Sequence, residues 1–104
     1  MRRMKEIEFH VRSGCNPANA EKVIERVCEE RGLILALKGS LAKFPGSVHW
    51  HYKKEGRGTL ELTLLRDGRR LWAKVQDGRK AKWIEDELPH VRKAIERKLR
   101  KRKS

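Results

Sequence analysis

Thr59–Gln76 reads TLELTLLRDGRRLWAKVQ, two alternating runs about a central Asp67-Gly68 pair. Leu60, Leu62 and Leu64 share one face of the first run; Leu71, Ala73 and Val75 share the matching face of the second. A period of two marks a half-buried strand, and Asp-Gly between two such runs predicts a two-residue antiparallel hairpin. Glu61, Thr63, Trp72 and Lys74 take the opposite phase, so the sheet has a second face of a different chemistry.

The same alternation recurs upstream. Ser47–Lys53 sets Val48, Trp50 and Tyr52 against His49, His51 and Lys53, and Lys5–Arg12 sets Ile7, Phe9 and Val11 against Glu6, Glu8, His10 and Arg12. Leu33–Leu37 reads as a short apolar strand running toward Leu41, with Phe44-Pro45-Gly46 as the turn that follows. A second Asp-Gly pair, Asp77-Gly78, closes the hairpin strand, and Lys80–Trp83 is read as a short further strand.

Two stretches switch to helical spacing. Asn16 is a good N-cap with Pro17 at the first helical position, and Ala20, Val23, Ile24, Val27 and Cys28 make one apolar stripe ended by Gly32. The outer face carries Glu21, Glu25, Glu29 and Glu30, with Lys22–Glu25 and Arg26–Glu30 at pair spacing. The last helix is expected from about Ile84, with Glu85, Asp86, Glu87 and Pro89 in its first turn and Ile84, Leu88, Val91, Ile95 and Leu99 facing the core.

The expected architecture is therefore an α+β domain of order β-α-β-β-β-β-α, an antiparallel meander sheet with both helices packed on one face. This order of elements is similar to one half of the TATA-box-binding-protein fold. That resemblance is one of topology, without a shared sequence motif, and it implies a sheet face that meets nucleic acid. The 104 residues are read as one domain, 1–104, with a basic end at 97–104.

Charge narrows the function. Net charge is +13, and from His90 onward eight Lys and Arg stand against the single acid Glu96. Such a surplus attracts a polyanion and releases its counterions on contact, so nucleic acid, DNA or RNA, is the expected partner. Lys93, Arg97 and Arg100 lie opposite the apolar stripe of the last helix, and Lys101, Arg102 and Lys103 continue the run. Arg70, Trp72 and Lys74 on the non-core face of the sheet are the second candidate contact, combining cations with a ring for base stacking. Trp72 has a plainer reading too, packed beneath a long side chain, a loop or a second copy. The rival function is a dimerisation or protein-interaction module closing over Trp72 and Leu65.

Other classes find less support. No apolar run approaches the roughly 20 residues of a membrane span, and the basic start lacks a signal-peptide pattern, so no membrane role and a cytoplasmic location are expected. The stretch from Pro17 to Cys28 holds Cys15 and Cys28 too far apart for a disulfide, and Cys28 reads as a core residue. His49 and His51 could share an ion only with a third ligand, for which Glu61 and His10 are the candidates by phase. No cysteine pair supports them, so the sequence is read as carrying no metal site, no cofactor and no catalytic residue; it is not read as an enzyme.

Overall fold

Strand pairing follows the alternation. The computed structural model describes residues 4–11, 16–76 and 81–100. Its elements are β1 (Met4–Phe9), α1 (Pro17–Glu30), β2 (Ile34–Leu41), β3 (Phe44–Lys53), β4 (Leu60–Leu64), β5 (Leu71–Gln76) and α2 (Lys82–Arg100). The five strands form one antiparallel sheet in the order β1-β5-β4-β3-β2, so the meander β2 to β5 is closed at its far side by β1. This is the expected β-α-β-β-β-β-α arrangement.

One face of the sheet is the core. Trp50, Tyr52, Leu60, Leu62, Leu64, Leu71, Ala73, Val75 and Phe9 are buried there against Ile24, Val27 and Cys28 of α1 and Leu88, Val91 and Ile95 of α2. Both helices therefore lie on the same side. Each fully buried apolar side chain of this kind contributes about 1.5–3 kcal/mol relative to exposure. Burial also pushes the Cys28 thiol up to about 12, which makes it an unreactive core residue beside Tyr52.

The termini of α1 match the sequence signals. Asn16 caps the start, its Oδ1 accepting from the Asn19 N–H at 3.0 Å. At the other end Leu33 N–H bonds Cys28 C=O at 2.9 Å and Gly32 N–H bonds Glu29 C=O at 3.0 Å. This is a Schellman cap, and Gly32 adopts the φ of +80° it requires. On the outer face, the expected Lys22–Glu25 and Arg26–Glu30 ion pairs are absent among the described residues. Glu21 and Glu25 instead both hold Lys38 of β2, at 2.6 Å each. Glu25 also accepts from Trp50 Nε1 at 2.9 Å. Burial alone would raise the Glu25 carboxyl, but these bonds hold it below the ordinary carboxylate range.

Four local expectations are corrected. The Asp67-Gly68 hairpin is longer than two residues: Leu65 N–H bonds Arg70 C=O, Gly68 N–H bonds Leu65 C=O, and Asp67 Oδ1 receives the Arg69 N–H. The Asp-Gly pair thus ends a turn begun at Leu65, with Gly68 at a φ of +74°. Phe44-Pro45-Gly46 is not the turn between β2 and β3. Ala42 and Lys43 turn the chain, while Pro45 and Gly46 lie within β3 at a register shift, where a missing N–H interrupts little. In place of a strand over Lys80–Trp83, α2 already begins at Lys82; Lys80 itself lies outside the described residues. Pro89 therefore sits inside α2 rather than in its first turn. It and Glu85 are both exposed, so water can serve the Glu85 carbonyl that loses its partner.

The earlier start of α2 also separates its three acids. Only Glu85 occupies the first turn. Glu87 turns inward and accepts from Lys54 Nζ at 2.7 Å and Arg31 Nε at 2.8 Å, tying α2 to the β3–β4 connection and to the end of α1. The Lys54 bond, helped by Arg31 and opposed by burial, holds the Glu87 carboxyl below its ordinary value. A depressed carboxyl stabilises the fold above its unfolded pKa and loses that contribution as pH falls through the folded pKa. Glu87→Gln is therefore expected to cost about 1–2 kcal/mol near neutral pH, read by urea denaturation, with the gap from the parent closing as the carboxylate is protonated. An equal gap at both pH extremes would show that the ion pairs contribute nothing.

Candidate functional site

The cationic face of α2 is the first candidate. Lys93, Arg97 and Arg100 are exposed, three and four residues apart, on the side of the helix away from Val91, Ile95 and Leu99. Lys98 is exposed as well. Among the described residues none of these four has an ion pair, while Arg92 is taken by Glu96 at 3.0 Å. Glu96 also receives the His10 N–H at 2.8 Å, which anchors this helix to the end of β1. Lys101, Arg102 and Lys103 lie outside the described residues.

The second candidate is differently placed. Arg70, Trp72 and Lys74 do share the sheet face opposite the helices, but Arg70 and Trp72 are already engaged by other side chains. Arg70 is bound through Nε and Nη2 to Glu8, and its guanidinium lies 4.2 Å from the Trp72 ring centroid. Phe44 meets the same indole edge-on, with centroids 5.5 Å apart and planes at 70°. Trp72 keeps only 4% of its surface. The plainer reading of this residue holds: a long side chain and the β2–β3 hairpin cover it, so its faces are closed to base stacking. Lys74 stands opposite Glu6 on β1 and Glu61 on β4, which lowers the positive charge of the face.

Beside this cover the sheet gathers a polar cluster. His49 and His51 are two apart on β3 and therefore project together; Thr63 pairs with His49 and Glu61 with His51 across β3–β4. The Nε2 atoms of His49 and His51 are 3.0 Å apart, and Glu61 Oε1 lies 3.5 Å from the first and 3.9 Å from the second. His49 Nδ1 is 2.8 Å from Thr63 Oγ1, and Gln76 Nε2 donates to Glu61 Oε2 at 2.9 Å. His49, Thr63 and Glu61 are all buried, although no helix covers them. Burial, with His51 and Lys74 adding to it and Glu61 opposing, holds the His49 imidazole below its ordinary pKa.

This is the one group of three or more His, Cys, Asp or Glu side chains among the described residues whose ligand atoms converge, all within 4.8 Å of one another. Glu61, not His10, is the third member. A cleft of about 410 Å³ adjoins it, bounded by Glu61, His49, Thr63, Lys74 and Trp72 below and by Leu41–Phe44 above. The alternation already placed Glu61 and Thr63 on this face. The cover by Phe44 had no local signal, since it depends on how far the β2–β3 hairpin leans over the sheet.

No protein-family model matches the chain, and neither a curated protein nor a solved structure is measurably similar to it.

Phe44→Ala is expected to uncover the Trp72 edge, raising acrylamide quenching of tryptophan fluorescence and costing about 1–2 kcal/mol. Unchanged quenching would mean that the hairpin is not what shields the indole.

Proposed function

We propose that this protein binds nucleic acid through the cationic face of α2, largely by contacts to phosphates. The observation that carries the reading is the contrast among its cations. Arg31, Lys38, Lys54 and Arg70 are each held by a carboxylate, whereas Lys93, Arg97 and Arg100 are exposed at helical spacing with no ion pair among the described residues. A helix whose apolar side is committed to the core has its polar side available for a polymer. Net charge of +13 supplies long-range attraction. Lys101, Arg102 and Lys103 extend the same run in sequence. Phosphate contacts of this kind carry no base information, so the proposed binding has no sequence preference and involves no catalytic step. The sheet residues Arg70, Trp72 and Lys74 are left out of the interface, because Arg70 and Trp72 are engaged within the chain and Lys74 stands between two carboxylates.

Affinity for labelled single- and double-stranded oligonucleotides should fall steeply with salt. Each removed phosphate contact lowers the log–log slope by about 0.9, so Lys93→Ala, Arg97→Ala and Arg100→Ala combined should flatten it by nearly three units. An unaltered slope in the triple variant would remove α2 from the interface. Tight preference for one sequence would contradict the backbone-only mode.

A second reading is favoured by one observation. β2 is an edge strand, and Ile34, Leu35 and Leu37 are 61%, 46% and 48% exposed on it. Unpaired edges with apolar side chains are templates for strand addition. The only charge in Ile34–Leu41 is Lys38, which Glu21 and Glu25 already neutralise, so two copies can approach along this edge despite their overall charge. We propose a homodimer joined β2 to β2 rather than over Trp72. Sedimentation velocity should show a dimer that Leu37→Lys converts to monomer; a monomer in the parent at high concentration would dismiss it.

A further inference from the structure

We propose that His49, His51 and Glu61 form a binding site for a divalent first-row transition-metal ion, zinc fitting best, open on one side to the cleft beneath the β2–β3 hairpin. The site is independent of the cationic helix. It stands on the meeting of three ligand atoms from two central strands, and on what holds those atoms in place.

The distances suit an ion. Zinc–nitrogen bonds of about 2.0–2.1 Å put neighbouring ligands of a tetrahedral centre about 3.3 Å apart. The two Nε2 atoms are 3.0 Å apart and Glu61 Oε1 is 3.5 and 3.9 Å from them. Movements of a few tenths of an ångström would bring all three to one point. The spacing follows from the strands: His49 and His51 project from one face of β3, and Glu61 is the cross-strand partner of His51. Flexible loops contribute nothing to it.

The outer contacts point the same way. Thr63 Oγ1 engages His49 Nδ1, which leaves Nε2 as the nitrogen facing its neighbours. Gln76, the only glutamine in the chain, donates to Glu61 Oε2 and leaves Oε1 toward the imidazoles. Ligating histidines and carboxylates commonly have such second contacts, which fix the ring and the carboxylate before the ion arrives.

Donor chemistry selects the ion class. Two imidazoles and one carboxylate suit zinc, cobalt, nickel or iron, and offer too few oxygens for calcium or magnesium. Cys28, the one cysteine among the described residues, is buried in the core on the other side of the sheet, so no thiolate among them competes. Three protein ligands leave a fourth position. The cleft of about 410 Å³ lined by His49 and Glu61 gives room beside the site for water or a small anion at that position. Lys74 is the competing cation. Its cross-strand neighbours, Glu6 and Glu61, are both carboxylates, which oppose its charge beside the site.

The test uses the full chain, treated with chelator and dialysed, then titrated with cobalt(II) and with zinc(II) by calorimetry and visible absorption. One cobalt per chain is expected, with visible bands that zinc abolishes by displacement. His51→Ala and Glu61→Gln should each weaken binding at least about a hundredfold, and Thr63→Val about tenfold. Zinc should raise the melting temperature of the parent and leave that of His51→Ala unmoved. His51 is half-buried at the edge of the cluster, so this variant carries the test if Glu61→Gln fails to fold, with circular dichroism to verify its structure. No binding at micromolar zinc, or binding equal in the parent and in folded His51→Ala, would overturn the site and leave a hydrogen-bonded polar cluster in its place.

Discussion

The register of β3 against β4 governs both faces of this molecule. Trp50 opposite Leu62 and Tyr52 opposite Leu60 put an indole and a phenol under the helices, while His49 opposite Thr63 and His51 opposite Glu61 assemble the polar cluster on the reverse. Side chains alternate strictly, so a slip of one residue would drive the imidazoles into the core and the indole out of it. The apolar contacts prevent that slip. They thereby position a cluster to which they contribute no atom.

Carboxylates do much of the remaining organisation. Glu25 joins α1 to the Trp50 indole and to Lys38, Glu87 joins α2 to Lys54 and Arg31, Glu8 fastens Arg70 over Trp72, and Glu96 links α2 to β1. Each of the first three holds at least one cation of a chain with a large positive surplus. Of the described cations without an ion pair, Lys93, Arg97, Lys98 and Arg100 gather on the carboxyl half of α2, whereas others such as Lys22, Arg26, Arg57 and Arg66 are spread over α1 and the connections. The same allocation explains why the sheet around Trp72 is a poor surface for a polyanion: its arginine and its aromatic faces are already engaged.

The strands, both helices and nearly all of the core were legible because period two and period 3.6 are printed in residues such as Leu60–Leu64 and Val91–Leu99, and because Asn16 and Gly32 carry strong cap chemistry. Boundaries were less legible. The helix over Lys82–Arg100 runs through Pro89 because solvent can satisfy the orphaned carbonyl, and Pro45 and Gly46 enter β3 because an irregular, exposed stretch tolerates them. The candidate site was half legible. Phase placed His49, His51, Glu61 and Thr63 on one face, but not at one point, since convergence depends on strand twist and side-chain direction.

Alternation and helical spacing alone determined that this chain buries one sheet face under two helices and keeps its cations dense at the carboxyl end. The tertiary structure decided which polar groups meet: that Glu61 and not His10 joins the histidines, that Phe44 and Arg70 enclose Trp72, and that the apolar strand β2 stands at an edge. The physical reason is range. Periodicity is a property of neighbours along the chain, whereas these encounters join residues brought together only by strand order, hairpin lean and competition among carboxylates for the same cations.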